Sequence, residues 1–390
     1  MKSFPVKGWC PSALRPMLSG DGFLVRVRPR GGRLTSAQAS SLAKLATAFG
    51  NGRIDLTGRA NLQIRGVRER NQDALAAALD RLGLVDANAE REAQRNVLVT
   101  PFWREGDATQ LLAVELECAL AAASLGLPEK FGFAIDCGEM RVLARAPADI
   151  RIERGAQGGL IVRADGTQEG RAVAHEEAVP TALALAKWFV ASAEGRGRMA
   201  THIADGAKPP RAIAGSAGPA PAMDTPSAGL VEGGALVGVT FGQLQSETLE
   251  IFATLAPGLR MTPWRMLLIE GLNEMPQLGG VLTRADDPLL RVTACTGAPG
   301  CFEAHADTRK LAAALAAHIP VDARLHVSGC AKGCAHPHVT PITLVGRGGR
   351  YDLVVSGAPS DSALLRNLNV DQAAEQVRGI MADQAEESTA

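Results

Sequence analysis

Four cysteines near the end of the chain fall into two pairs: Cys295 and Cys301 with five residues between them, Cys330 and Cys334 with three. Twenty-eight residues separate the pairs, and both lie among small residues: Thr296-Gly297-Ala298-Pro299-Gly300 in the first, Ser328-Gly329 and Ala331-Lys332-Gly333 around the second. Four thiolates on two glycine-rich turns suit a [4Fe-4S] cluster, whose bulk and whose sulfurs need the backbone close, as glycine permits. A zinc site of four cysteines is the second reading, but it usually keeps about two to four residues between paired cysteines. Disulfides are the third. The chain start, Met1 to Gly8, lacks the apolar core of a secretory leader, which points to a reducing, cytoplasmic setting and weighs against them.

Three further cysteines have other surroundings. Cys118 sits in the apolar helical pattern Leu111 to Leu120 and reads as core packing. Cys137 follows a strand pattern and fits either core or pocket wall. Cys10, before Pro11, reads as a buried inert thiol or as lining of a site.

A second stretch could bind anions. From Ile54 to Val67, read with a period of two, Thr57, Arg59, Asn61, Gln63 and Arg65 fall on one face, and Gly58, Ala60, Leu62, Ile64 and Gly66 on the other. A solvated outer face is the commoner cause of such alternation, yet solvated faces draw on lysine and glutamate. Here every polar group can hydrogen-bond an anion and none is acidic. Arginine suits carboxylates because its planar fork holds them by two bonds. Arg26 and Arg28 share a face of the preceding strand, Phe23 to Pro29.

Regular elements must position these groups. After that strand, Gly31-Gly32 makes a turn, Thr35 and Gln38 form a capping box, and Leu42, Leu45, Ala46 and Phe49 recur at helical spacing until Gly50. A helix from Gln72 to Leu82 closes the unit. A second unit holds a strand at 96–100, a helix at 108–123 and a strand after Pro128. Gly206 to Gly234 is rich in proline and glycine and reads as a mobile linker. The first unit then repeats: a strand at 235–239, a helix at 246–255, and Thr262 to Gly271 aligned without gaps on Thr57 to Gly66, with Trp264, Met266 and Leu268 replacing Arg59, Asn61 and Gln63. The cysteine unit follows, and a last helix is expected over 363–382.

At 390 residues the chain is long enough for two or three domains. Its 41 basic residues balance 41 acidic ones, so no nucleic acid or membrane partner is expected, and no apolar run is long enough to span a bilayer.

The cysteine spacing, with the second pair written Gly-Cys-x3-Cys, resembles the sulfite and nitrite reductase family. The resemblance covers nearly the whole chain, and it implies an α+β fold: a duplicated nitrite/sulfite reductase-like architecture with two ferredoxin-like half domains and two larger α+β halves, one carrying a [4Fe-4S] cluster. The expected divisions are 15–90 and 91–202 for the first copy, a linker at 203–233, then 234–283 and the cluster-binding half 284–390. The resemblance implies that Cys295, Cys301, Cys330 and Cys334 hold the cluster. It also implies that Arg59, Asn61, Gln63 and Arg65, with Arg26 and Arg28, grip the carboxylates of a tetrapyrrole, which in the reductases is sirohaem. In the family segment Pro-Arg-Lys-Phe-Lys both lysines face the small oxyanion. Lys130 matches the first, but Glu129 replaces the arginine and Gly132 the second lysine.

Those departures weaken an oxyanion site. Together with Cys10-Pro11-Ser12, Ser19-Gly20-Asp21-Gly22 and the run Gly329-Cys330-Ala331-Lys332-Gly333-Cys334-Ala335-His336-Pro337, they resemble the precorrin-3B synthase branch of that family, from aerobic cobalamin synthesis. That resemblance implies a polycarboxylate tetrapyrrole as substrate, oxidised with dioxygen at a meso carbon to a hydroxylated γ-lactone by a monooxygenase-type enzyme. It further implies a [4Fe-4S] cluster and a mononuclear non-haem iron, with Lys130 holding a substrate acetate or donating a proton. His336 and His338, with His305 third, are either ligands of that iron or donors tuning the cluster. No nicotinamide or flavin fingerprint is visible, so an external electron donor is expected. The alternatives are a sirohaem- and [4Fe-4S]-dependent sulfite or nitrite reductase, and an electron carrier or tetrapyrrole-binding module without activity.

Overall fold

The computed structural model describes residues 10–387; the reading of Met1 to Gly8 lies outside them. The first long helix, Ser36–Phe49, starts as its sequence dictates. Thr35 Oγ1 accepts the Gln38 N–H at 3.2 Å and Gln38 Oε1 accepts the Thr35 N–H at 3.0 Å. Gly50 ends it, at a point so close to the next strand that a Cβ would meet the Arg65 carbonyl at 2.5 Å. Ala39, Leu42, Ala43 and Ala46 are buried on one face, which packs against the helix Ser246–Leu255 of the second copy.

A five-stranded and a six-stranded sheet flank this helix pair, and each borrows a strand from the other copy. The first sheet runs Met17–Ser19, Gly22–Val27, Leu62–Val67, Arg53–Leu56 and then Gln243–Gln245 from the second copy. The second runs Gly229–Val231, Gly234–Val239, Met266–Glu270, Gly258–Met261 and then Arg33–Thr35 from the first, with Val281–Leu282 added beside Gly234–Val239. This exchange merges both copies into one apolar core, in which Leu42, Ile54 and Ile64 meet Leu249, Phe252 and Ile269. Equivalent turns keep the same left-handed residue: Ala60 and Arg265 at φ 53° and 59°, Gly66 and Gly271 at 71° and 73°. Left-handed backbone shared at matched positions supports the gap-free alignment of the two stretches.

The larger halves also match. In one, Val97–Val99, Phe133–Asp136 and Ile150–Arg154 pair in parallel, then Leu160–Ala164 and Arg171–Val173 add antiparallel. In the other, Val292–Ala294, Leu325–Ser328 and Thr340–Arg347 pair in parallel, then Arg350–Gly357 and Leu365–Leu368 add antiparallel. No helix among the described residues is long and apolar enough to cross a membrane.

Four expectations need correction. The stretch 54–67 is a hairpin and not one strand: Arg53–Leu56 and Leu62–Val67 pair through Ile54↔Ile64, with Thr57 to Asn61 in the turn. Thr57, Arg59 and Asn61 therefore do not share a strand face with Gln63 and Arg65. Cys118 is exposed, because the helix Ala108–Ala122 buries Leu112, Ala113, Leu116 and Glu117 instead. The proline-rich segment 203–233 is strapped to the first larger half by backbone bonds, among them Gly170 N–H to Ala217 O at 2.9 Å and Ala220 N–H to Arg154 O at 2.8 Å. The last helix begins at Val370, after the strand Leu365–Leu368 has taken the expected first turn.

Candidate functional site

A cavity of about 350 Å³ opens where the first sheet, the second copy's turns and the cysteine loops meet. Arg26, Gln63 and Arg65 reach it from the first sheet, Phe241 and Arg265 from the second copy, and Arg309 from the cysteine half. Cys301, Cys330 and Cys334 line it, along with Thr296, Lys332 and Ala335. Three of these arginines lack a full counter-charge. Arg26 gives both Nε and Nη2 to the neutral Gln63 Oε1, at 3.2 and 2.8 Å. Arg265 gives Nη2 to the Ala335 carbonyl at 2.9 Å. Arg309 Nη2 stands 3.6 Å from Asp55 Oδ1, and its buried Nε has no partner among the described residues. Burial pushes the pKa of all three below the ordinary arginine value. Buried guanidiniums without carboxylates are costly on their own and favour an incoming anion.

Arg65 does something else. Its Nη1 binds Asp55 Oδ2 at 2.7 Å, its Nε and Nη2 bind Asp21 at 2.9 and 2.8 Å, and Nη2 also donates to the Gly300 carbonyl at 2.7 Å. Burial pulls its pKa down, but Asp55 and Asp21 outweigh that and leave it raised. The turn holding Asp21 docks on the same loop: Ser19 Oγ donates to the Gly300 carbonyl at 2.8 Å, and a Cβ on Gly20 would meet the Pro299 carbonyl at 2.1 Å. Thus Ser19-Gly20-Asp21-Gly22 and Arg65 clamp the Cys295 to Cys301 loop onto the first sheet.

The remaining sequence-predicted residues lie outside the cavity lining. Arg28 is buried with Glu92, Nη1 to Oε1 at 3.3 Å, and burial with Arg26 nearby lowers its pKa to about 10. It faces a small recess beside Cys10 and Glu129. Arg59 donates Nη2 to the Lys130 carbonyl at 3.0 Å, and burial, then Arg198, lower its pKa. A Cβ on Gly132 would come 3.4 Å from Arg59 Nη1. The glycine that replaces the family lysine therefore lies against another cation. Asn61 is buried in the turn, its N–H held by Thr57 Oγ1 at 3.1 Å. The Lys130 side chain is exposed. Glu129 accepts the Cys10 N–H at 2.7 Å and pairs with Arg15 at 3.3 Å. Cys137 is half-buried against the core of the first larger half, where burial pushes its thiol to about 12, so it is wall to that core and not to the cavity.

The four thiols fit an iron–sulfur cluster by chemistry and placement. Cys301, Cys330 and Cys334 line the cavity; Cys295 lies outside its lining, but its Sγ accepts the N–H of Ala335, which does line it, at 3.4 Å. Burial raises the thiols of Cys330 and Cys334, the latter to about 11, and the other three cysteines push Cys334 further the same way. A cube holds its thiolates at its corners, further apart than a single ion does. Among the described residues no three His, Cys, Asp or Glu side chains gather around one point as ligands of a single ion. His336 and His338 pack edge to face, ring centres 5.6 Å apart, and His336 meets a third ring, His326, at 5.9 Å. Sequence reasoning missed Arg265, Arg309 and His326. The first was discounted with the apolar second copy, and the other two carry no motif.

Comparison with known proteins places this architecture. Residues 15–82 match the nitrite/sulfite reductase ferredoxin-like half domain. The solved structure of the Mycobacterium tuberculosis NirA protein shares the fold, with a TM-score of 0.65 over 91% of this chain and 79% of that one at 20% identity. A ferredoxin–nitrite reductase of Synechococcus elongatus is 31% identical over 158 residues, 36% of this chain and 31% of that protein. The fold is that of the nitrite and sulfite reductase family, and the chain belongs to it. Within that family, the precorrin-3B synthase of a Sinorhizobium species is 31% identical over 391 residues, 90% of this chain and 83% of that protein, so the chain is a member of the precorrin-3B synthase branch.

Proposed function

We propose that this oxidoreductase catalyses the precorrin-3B synthase reaction, with the tetrapyrrole as substrate and not as cofactor. The observation that carries this reading is a set of half-buried arginines short of counter-charge, Arg26 and Arg265 on neutral acceptors and Arg309 with only the more distant Asp55, lining a cavity that cysteines also line. A volume of about 350 Å³ is at the low end of ligand sites, so the macrocycle enters by one edge with its outer carboxylates in the mouth. Arg26, Arg265 and Arg309 hold the inner carboxylates, and Gln63 orients Arg26. Arg65 binds no substrate group; with Asp21 and Asp55 it fixes the cysteine loop against the binding face. Arg59, beside the exposed Lys130, meets carboxylates at the rim.

Cys295, Cys301, Cys330 and Cys334 hold a [4Fe-4S] cluster, which when bound supplies electrons singly from an external donor. In the overall reaction one atom of dioxygen enters the meso carbon and the other leaves as water, with two electrons and two protons from the donor side; a substrate carboxylate then closes the γ-lactone. For a mononuclear iron the described residues gather no histidine and carboxylate set, and no step is assigned to it. The sirohaem reductase is the weaker alternative because Glu129 is occupied by Cys10 and Arg15, leaving the position of a cation acidic.

The test is turnover of precorrin-3A by cluster-loaded protein with a reductant under ¹⁸O₂. The product should gain one labelled oxygen. An unlabelled product, or reduction of sulfite or nitrite in its place, contradicts the reading.

A further inference from the structure

His326 has no part in the reading above, yet its position is specific. It lies in the strand Leu325–Ser328, with 0% of its surface exposed, parallel to the strand Val292–Ala294 that leads into Cys295. Its Nε2 is 3.7 Å from Cys295 Sγ, while its buried Nδ1 has no hydrogen-bond partner among the described residues. Charged or neutral, the ring can present a proton at Nε2 to the sulfur, and its surroundings decide whether it does. A neutral imidazole carries one N–H, and chemistry decides which. A proton on Nδ1 would be an orphaned buried donor, whereas a proton on Nε2 meets a thiolate, and a bare nitrogen lone pair is the cheaper group to leave unpaired.

The rival donor is already engaged. Ser328 Oγ lies 3.5 Å from the same sulfur, but its single proton goes to the Cys330 carbonyl at 2.7 Å. Cys295 therefore receives the Ala335 N–H and the imidazole N–H, both from groups fixed by the fold.

We propose that His326 sets the reduction potential of the cluster, by an Nε2–H hydrogen bond to the Cys295 thiolate that favours the more negative, reduced state. The inference rests on the cluster assignment made above. Hydrogen bonds to ligating sulfurs are among the recognised determinants of cluster potential, and one donated by a fully buried ring is shielded from water on the donor side. Its effect is to make reduction by an external donor easier.

The experiment is an anaerobic redox titration, followed by EPR, of the cluster-loaded wild type, His326→Leu and His326→Gln. The glutamine amide can reach the place of Nε2, so it retains a donor. At the wild-type midpoint, His326→Leu should show a reduced-to-oxidised ratio about tenfold lower, a shift of about 59 mV for one electron, and His326→Gln should stay close to wild type. A loaded wild type and a loaded leucine variant with equal midpoints overturn this inference and leave the cluster standing. A wild type that binds no iron–sulfur cluster removes both. Should the leucine variant not load, pulsed EPR on reduced wild type labelled with ¹⁵N-histidine decides: coupling to one histidine nitrogen supports the bond, and its absence refutes it.

Discussion

Charge compensation separates arginines that hold the protein together from those that can hold a ligand. Arg65 faces two carboxylates and a carbonyl, whereas Arg265 and Arg309 are half-buried with little or no counter-charge. A charged hydrogen bond to a ligand carboxylate is worth about 1.5–3 kcal/mol, so Arg265→Ala or Arg309→Ala should weaken tetrapyrrole binding roughly 10- to 100-fold. The cluster absorption should be unchanged in both. An anaerobic absorption titration reads the dissociation constant, and equal affinity in wild type and variants would remove these residues from the site. Part of this was legible in the sequence: the cysteine types and spacing, and Arg26 and Gln63 each as an anion-binding candidate, though not as partners of one another. Arg65 was legible as a residue but not as a clamp, since Asp21 is far from it in the chain and meets it only through strand pairing.

At the scale of elements, the capping box, the helix 246–255 and the strand 235–239 follow directly from local sequence, because caps and short-range periodicity are local physics. The hairpin at 53–67 does not. Its turn is a left-handed alanine, Ala60 at φ 53°, where glycine or asparagine would have announced it, and the apolar alternation runs unbroken across. Partner exchange between the two sheets leaves no mark in either strand alone. One element carries a pH prediction. Asp136, at the end of Phe133–Asp136, is pushed up to about 6 by burial first, with Glu153 adding to it, although the Leu143 N–H at 2.7 Å opposes this. Its folded pKa is above its unfolded value, so the folded state binds the extra proton and stability falls as pH rises from about 4 to about 6. The full loss is on the order of 3 kcal/mol from the size of that shift. Asp136→Asn, which keeps an acceptor for Leu143, should raise the urea midpoint at pH 8 but not at pH 4. The same change at both pH values would contradict the burial argument.

Across the whole molecule, duplication explains why function is asymmetric. Two copies of one architecture are interlocked through exchanged strands, so the second copy can lose its polar hairpin to Trp264, Met266 and Leu268 and serve as packing. Yet that same hairpin supplies Arg265, at the left-handed turn position where the first copy carries Ala60. Two-fold layout was readable from the repeat; the cavity was not, because its lining comes from both copies and the cysteine half at once. In the proposed function a cluster-bearing member of this family treats the tetrapyrrole as substrate. An absorption spectrum of anaerobically purified protein, before and after dithionite, with total iron counted, tests it most directly. A broad cluster band that bleaches on reduction, without the sharp bands of a resident sirohaem, is expected. Intense sirohaem bands that remain with the protein through purification would contradict it.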